Sequence, residues 1–216
     1  MEKLKKILNK NYKWIILFLC VVLFLAILQN VFYDEQLVLD SIFYNLVVQN
    51  MRAPTLTTIL IIITNLGSAI TLISLTILSI ILIKNKKIGL CISLNLIIST
   101  LLNVILKNIV QRPRPEGYRL IDESGYSFPS GHSMVNTAFY GLLIYLVLRN
   151  VKNSKLKYTL VTLISLLIIG IGFSRIYLGV HYASDVLAGF LISIAYLVVF
   201  TTFMHDMLKI EKGEKE

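Results

Sequence analysis

The chain has 216 residues, of which 56% are hydrophobic and 15% charged, with a mean hydropathy of +0.76 and a formal net charge of +9. A soluble domain averages about 25% charged residues, so this composition excludes an ordinary soluble protein and predicts an integral membrane protein. The basic residues form no stripe with interleaved aromatic residues, which argues against a nucleic-acid partner.

Six apolar runs, bounded by charged or turn residues, approach the roughly 20 residues needed to cross a bilayer. None alternates with a period of two, so each predicts a helix. The second run is long enough to tilt or to bend near Gly67. We therefore predict an all-α bundle of six transmembrane helices, forming a single membrane domain over residues 1–216. The six runs are 14–32, 56–83, 88–106, 133–148, 160–173 and 186–204, and the charged tails are 1–13 and 205–216.

The first run has a basic front, as a signal peptide has. Its 19 apolar residues, and the lack of a small-residue cleavage site, favour a retained anchor over a cleaved signal. Cys20 and Cys91 both fall in apolar runs without CxxC spacing, which predicts neither a disulfide nor a metal site.

Between the first and second runs, apolar residues recur with helical spacing at Ile42, Phe43, Leu46 and Val47, and Pro54 ends the segment. We expect an amphipathic helix along the outer membrane interface. A re-entrant segment packed within the bundle is the alternative.

The distribution of basic residues predicts the orientation. Fifteen of the 21 Lys and Arg residues lie on one side of the six helices, in the N-terminal segment, the second-to-third and fourth-to-fifth loops and the C-terminal tail. Because basic loops stay inside, both termini are expected in the cytoplasm of a bacterial-type cell, and the chain is expected in the plasma membrane.

The outward-facing helix ends hold most of the remaining polar chemistry. A charged group at mid-bilayer costs at least about 2.5 to 3.5 kcal/mol, so polar residues kept at membrane boundaries are functional candidates. Lys107, Arg114 and Arg175 offer three positive charges suited to phosphate oxygens. Ser130 and Gly131 stand before the fourth helix, whose free amides attract anions.

Two histidines and an aspartate complete the candidate site. His181 and Asp185 are four residues apart, so on a helical turn the carboxylate can accept the Nδ1 proton and leave Nε2 free to attack phosphorus. His132 can protonate the departing oxygen. Together they describe in-line phosphoryl transfer through a phosphohistidine.

Three motifs in this order resemble the signatures of the type 2 phosphatidic acid phosphatase superfamily, which also includes vanadium-dependent haloperoxidases. They are Lys107 with Arg114 and Pro115, the run from Pro129 to His132, and Ser174 and Arg175 with His181 and Asp185. The resemblance covers about residues 52–204 as a catalytic core. It implies metal-independent hydrolysis of lipid phosphate or diphosphate monoesters without a cofactor. His181 would be the nucleophile, Asp185 would orient it and His132 would be the general acid, while phosphate would be bound by Lys107, Arg114, Ser130, Gly131 and Arg175.

The candidate substrates are undecaprenyl diphosphate and phosphatidylglycerol phosphate, with phosphatidic acid as a third, because the chain resembles bacterial phosphatidylglycerophosphatase B-type members.

Arg112 and Arg119 lie off the motifs and either assist a second phosphate or only solvate their loop. Asp122 and Glu123 lack metal-ligand spacing. Two alternative functions are a transporter that uses the cationic cluster as an anion site and a vanadate-dependent haloperoxidase. Tyr177 and Tyr182 are expected to pack at the membrane interface, and His205 to anchor the sixth helix.

Overall fold

The computed structural model describes residues 2–33 and 37–208, with side chains from residue 11 onward, and all regular structure in these ranges is helical. Residues 34–36 of the expected interfacial segment and residues 209–216 of the expected tail lie outside these ranges. The expected N-terminal tail is a helical extension of the first helix. The helices are α1 (Glu2–Tyr33), α2 (Val38–Gln49), α3 (Pro54–Asn65), α4 (Ala69–Leu82), α5 (Lys86–Val110), α6 (Gly131–Asn150), α7 (Ser154–Tyr177) and α8 (Ala183–Phe203).

Five of these helices are long and apolar enough to cross a bilayer, namely α1, α5, α6, α7 and α8. The pair α3 and α4 passes the same test together, with a bend of 44° between them. Counted as one bent span, the pair brings the number to six, as predicted. Both α6 and α7 are longer than their apolar runs, because the helices continue through polar residues at their ends. Asn153, for example, caps α7 by accepting a hydrogen bond from the amide of Leu156 at 3.0 Å.

The bend between α3 and α4 lies at Gly67, near which the length of the second apolar run predicted a tilt or a bend. The carbonyl of Gly67 accepts a hydrogen bond from Nδ2 of Asn136 at 2.9 Å, and the carbonyl of Leu66 accepts one from the Tyr140 hydroxyl at 2.8 Å. The side chain of Ser68 then caps α4 by accepting from the amide of Thr71. Two side chains of α6 therefore satisfy carbonyls that the broken helix leaves open.

Helix α6 occupies the middle of the bundle, in contact with α5, α7 and α8, while α1 packs on α8, α3 on α7 and α4 on α5. Its buried residues Phe139 and Leu142 join Cys91, Ile92 and Ile171 in the main apolar core. Cys20 and Cys91 are both buried and free. Long apolar side chains remain exposed on the outward faces of the bundle, Phe18, Ile81, Ile97 and Leu166 among them, as expected for a lipid-facing surface.

The predicted segment before Pro54 is helical. Of its apolar residues, Phe43 and Val47 pack in a core cluster with α7 and α8, whereas Ile42 and Leu46 are exposed. Its acidic residue Asp40 is buried against α8. One face of α2 is therefore part of the packed bundle.

The expected interfacial position of Tyr177 is wrong, because its side chain is fully buried. Its hydroxyl accepts a hydrogen bond from the amide of Ala53 at 2.9 Å and lies 2.9 Å from Oγ1 of Thr57. A buried tyrosine needs a partner for its hydroxyl, and here the partners are in the first turn of α3. Tyr177 thus ties the end of α7 to the start of α3.

Candidate active site

The loop between α5 and α6 (residues 111–130) folds against the turn between α7 and α8 (residues 178–182) at one end of the bundle. The amide of Leu120 donates to the carbonyl of Leu178 at 2.9 Å, and the amide of Ser130 donates to that of Asp185 at 3.1 Å. All eight predicted site residues lie at this end: Lys107 in the last turn of α5, Arg114 in the loop, Ser130, Gly131 and His132 at the start of α6, Arg175 in the last turn of α7, His181 in the turn and Asp185 in the first turn of α8.

His181 is buried with both ring nitrogens hydrogen bonded. Nε2 lies 3.0 Å from NH1 of Arg114, and Nδ1 lies 3.3 Å from Oδ2 of Asp185. A guanidinium only donates, so Nε2 is the nitrogen that accepts and the ring proton lies on Nδ1. This tautomer has its lone pair on Nε2.

Ser127, which the sequence did not single out, completes the environment of His181. Its hydroxyl donates to Oδ2 of Asp185 and lies 3.2 Å from Nδ1 of His181, so it is oriented to accept the ring proton. The amide of Tyr182 donates to the same carboxylate oxygen at 3.0 Å. Three donors therefore fix the carboxylate on the side that faces the imidazole.

The other oxygen of Asp185 accepts a hydrogen bond from Arg112. NH1 of Arg112 lies 2.7 Å from Oδ1 of Asp185, and NH2 lies 2.8 Å from Oδ2 of Asp40 in α2. Arg112 is only 3% exposed, and its guanidinium lies 4.1 Å from the ring centre of Tyr182. Neither alternative for Arg112 is therefore right: it neither solvates the loop nor faces the phosphate cradle, but holds two buried carboxylates.

Asp40 is a second residue that the sequence did not identify. Besides Arg112, it accepts hydrogen bonds from the amide and the hydroxyl of Ser184, each at 2.8 Å. Ser184 directly precedes Asp185, so Asp40 of α2 is linked to Asp185 both through Arg112 and through Ser184. The one signal for it in the sequence is that Asp40 stands among apolar residues of α2, where a charge needs a buried partner.

Backbone carbonyls hold both basic side chains of the first motif. Arg114 donates from Nε to Gly125 at 3.0 Å, from NH2 to Ser124 at 3.0 Å and from NH1 to Val180 at 2.9 Å. Nζ of Lys107 donates to the carbonyls of Tyr126 and Ser127. Both charges are thus oriented by the loop itself, which reduces the reorganisation that anion binding requires.

Arg175 is 1% exposed and reaches the site from the end of α7. NH1 donates to Oγ1 of Thr64 at 2.9 Å, and NH2 donates to Oε1 of Glu123. Oε2 of Glu123 also lies 3.8 Å from NH2 of Arg114. The carboxylate of Glu123 therefore bridges two of the three basic residues predicted to bind phosphate.

At the start of α6, Ser130 is the N-cap, and its hydroxyl accepts from the amide of Ser133 at 3.3 Å. Its own amide is bound to Asp185, so its side chain and amide are both engaged within the protein. The next amides, of Gly131 and His132, belong to the first turn, where no intrahelical acceptor exists. A β-carbon at Gly131 would lie 3.0 Å from Oδ1 of Asn103, so a larger residue would crowd that side chain of α5.

A cavity of about 300 Å³ joins these elements. Its polar end is formed by Lys107, Arg114, Glu123, Gly131, His132 and His181, and its apolar part by Gly67, Ala69, Leu72, Ile73, Leu96, Thr100 and Val135 of the bent span, α5 and α6. A larger cavity of about 710 Å³ lies beside Lys13 and His205 and contains no predicted site residue. The smaller cavity is the candidate site, because it holds both histidines and two of the cations.

The electrostatics of the loop and turn suit a neutral nucleophile beside an anion site. Burial lowers the pKa of His181 from 6.5 to about 3, although the hydrogen bond and charge of Asp185 act in the opposite direction. Burial raises the pKa of Glu123, but the charge and hydrogen bond of Arg175 outweigh it and leave that pKa below its ordinary value. At neutral pH His181 is uncharged and Glu123 is ionised.

Arg119 does not join the cluster. It is exposed, and its side chain donates to the carbonyls of Pro115 and Arg114, which favours the loop-solvating alternative. Asp122 is exposed as well. In the part of the chain that the structure describes, no group of three His, Cys, Asp or Glu side chains is arranged to hold a metal ion.

Comparison with known proteins agrees with the motifs. The sequence matches the family model of the PAP2 superfamily over residues 88–209. Phosphatidylglycerophosphatase B of Bacillus subtilis (strain 168) is 40% identical over 104 residues, which are 46% of this chain and about half (49%) of that relative. Undecaprenyl-diphosphatase of Sulfolobus acidocaldarius is 27% identical over 219 residues, covering 95% of this chain and 98% of that one.

Two solved structures share the fold. The first is a transmembrane PAP2 type phosphatidylglycerolphosphate phosphatase from Bacillus subtilis, with a TM-score of 0.80 and 28% identity over 92% of this chain and 98% of that chain. The second is LpxE of Aquifex aeolicus, with a TM-score of 0.63 and 26% identity over 78% of this chain and 98% of that one. The family model covers more than half of the chain, and the phosphatase names of both relatives agree with the predicted enzyme class. This multi-pass membrane protein belongs to the PAP2 superfamily.

Proposed function

We propose that the protein hydrolyses phosphate or diphosphate monoesters of membrane lipids through a phosphohistidine intermediate. The observation that carries this proposal is the accepting Nε2 of His181, which lies 3.0 Å from Arg114 on the wall of a cavity that is cationic at one end and apolar at the other. A phosphate group bound at the cationic end would leave its lipid chain in the apolar part.

In the first step, Nε2 of His181 attacks phosphorus as the bond to the leaving oxygen breaks. The imidazole becomes cationic, and Asp185 stabilises that charge through Nδ1–H. His132, which also lines the cavity, donates a proton to the leaving oxygen. A lipid alcohol departs from a monophosphate, and a lipid monophosphate departs from a diphosphate.

In the second step, water attacks the phosphohistidine, with His132 now accepting the proton, and inorganic phosphate leaves as Nε2 regains its lone pair. Lys107, Arg114 and Arg175 stabilise the charge on the phosphoryl oxygens, together with the first amides of α6. Ser130 contributes as the cap that orients these amides.

The names of the relatives suggest two lipids to test, undecaprenyl diphosphate and phosphatidylglycerol phosphate, and phosphatidic acid is the third. The apolar residues of the cavity would accept an acyl or a prenyl chain alike, since Leu72, Ile73, Leu96 and Val135 offer no polar contact that distinguishes them. By the distribution of basic loops, the site would face the outside of the cell.

The test is a phosphate-release panel in detergent with these three lipids, each in the presence of EDTA. We expect release from at least one lipid, unchanged by EDTA, with His181→Ala as the inactive control. Failure to release phosphate from every lipid, or strict dependence on a divalent ion, would contradict the proposal.

A further inference from the structure

Glu123 occupies the position between the cations where the proposed function needs a phosphate group. Its carboxylate contacts NH2 of Arg175 and lies 3.8 Å from NH2 of Arg114, and it lines the cavity together with His132 and His181. Glu123 is itself an anion, so its single charge partly compensates those of Arg114 and Arg175.

The pairing leaves Arg175 with unused hydrogen-bonding capacity. Its Nε is buried and has no partner among the described residues, although NH1 and NH2 are both bound. A buried N–H without an acceptor is costly. An anion with more acceptor oxygens than a carboxylate would satisfy this donor as well, and phosphate has that property.

Glu123 can leave the site without unfolding the loop. The side chain of Glu123 is 28% exposed, whereas that of Arg175 is 1% exposed, so the carboxylate has a route to water and the guanidinium has none. The carbonyls of Ser124 and Gly125, directly after Glu123, are held by Arg114. The exchange therefore needs only a rotation of the Glu123 side chain.

We propose that Glu123 is a competing anion that a ligand must displace from Arg114 and Arg175, and that it thereby lowers the affinity of the site for every anionic head group. This inference rests on the proposed function. A phosphodiester head group carries one negative charge, as the carboxylate does, so the exchange brings no additional charge. A phosphomonoester carries about 1.5 to 2 negative charges at pH 7 and offers three free oxygens, so it displaces Glu123 more readily.

A lower affinity for anionic head groups matters in a membrane, because many of its lipids carry them. Phosphodiester lipids form the bulk of most bilayers and also reach a cavity that opens to acyl chains. Without a resident carboxylate, an unpaired pair of buried arginines would attract any anionic head group. With it, weakly bound phosphodiesters occupy the site less, whereas a phosphomonoester, which binds more tightly, still displaces the carboxylate.

The test compares the wild type with Glu123→Gln, which keeps the size of the side chain and one acceptor oxygen but removes the charge. Asp122→Asn is the matched control, because it removes the same charge from the neighbouring, exposed residue. Binding of inorganic phosphate and of dioleoylphosphatidylglycerol is measured from the shift in the unfolding midpoint, which does not depend on turnover. Inhibition of phosphate release by both ligands is measured in parallel.

We expect Glu123→Gln to bind phosphatidylglycerol and inorganic phosphate more tightly, each by roughly tenfold, which corresponds to 1.4 kcal/mol. Asp122→Asn should behave as the wild type does. Unchanged or weaker binding in Glu123→Gln would overturn the inference, and so would an equal gain in Asp122→Asn. Glu123→Ala repeats the test if Glu123→Gln fails to fold. A wild type that binds these ligands as expected but releases no phosphate from lipids would refute the proposed function and leave this inference standing.

Discussion

NH1 of Arg114 donates to Nε2 of His181 across 3.0 Å, so a group proposed to hold phosphate covers the nitrogen proposed to attack it. The same NH1 donates to the carbonyl of Val180 at 2.9 Å, which ties Arg114 to the backbone beside the nucleophile. An arriving phosphoryl group must take over this donor before Nε2 can reach phosphorus. Binding and activation are therefore one event at this nitrogen.

Replacing the two histidines should separate the two halves of the reaction. We expect His181→Ala to abolish turnover, because it removes the nucleophile. His132→Ala should lower turnover by about 10² to 10⁴-fold, the range for general acid catalysis, and should still form phosphoenzyme from a substrate with a good leaving group. Phosphate release and trapping of radiolabelled protein measure both effects. An active His181→Ala enzyme would refute the assignment of the nucleophile.

Asp40 should affect catalysis although it lies outside the cavity. Asp40→Asn weakens the contact with Arg112, which then holds Asp185 less firmly, so we expect kcat to fall roughly tenfold or more with little change in KM. Ser41→Ala, an exposed residue on the same helix, is the control and should have no effect. Steady-state kinetics in detergent measure kcat and KM of both variants. An equal loss in both variants would point to damage of α2 rather than to Asp185.

The protonation of His181 can be followed directly. Because its pKa is lowered to about 3, mainly by burial, the imidazole should stay neutral with its proton on Nδ1 from pH 8 down to pH 5. An ordinary histidine, with a pKa near 6.5, would become protonated over that interval. The chain has three histidines, so ¹⁵N NMR with single substitutions assigns each signal. A His181 signal that titrates near pH 6.5 would contradict this expectation.

Gly67 should tolerate no side chain. A β-carbon there would lie 2.6 Å from Nδ2 of Asn136, which is already bound to two carbonyls and cannot move away without losing them. We expect Gly67→Ala to destabilise the protein by about 1 to 3 kcal/mol, the usual cost of overpacking. Gly170→Ala, within α7 and with ordinary contacts at 3.4 Å, should be neutral or slightly stabilising. Thermal unfolding in detergent measures both.

The orientation is testable by cysteine labelling of intact cells. A cysteine at Glu116, an exposed position in the loop of the site, should react with an impermeant thiol reagent. A cysteine at Lys152, exposed in the loop between α6 and α7, should react only after the cells are opened. Cys20 and Cys91 are buried and give little background. The reverse pattern of labelling would place the site in the cytoplasm.

The sequence predicted the helices and the contact between His181 and Asp185, because both depend on local spacing along the chain. The contacts of Ser127, Arg112 and Glu123 were not predicted. Their partners are 58, 73 and 52 residues away, and no local spacing relates residues so far apart. A general rule would have helped, namely that a charge in an apolar chain needs a partner. Applied to Asp40 and Arg112, that rule makes each a candidate partner of the other from the sequence alone.

Helix α8 supplies partners to three other parts of the protein around the site. Asp185 binds Arg112 and the amide of Ser130, and Ser184 binds Asp40. α8 is also the last helix to leave the ribosome among those described. During synthesis, therefore, Arg112 enters the membrane region before the carboxylate of Asp185 is available to it. The site cannot become active, or acquire its full stability, until this final helix has been inserted.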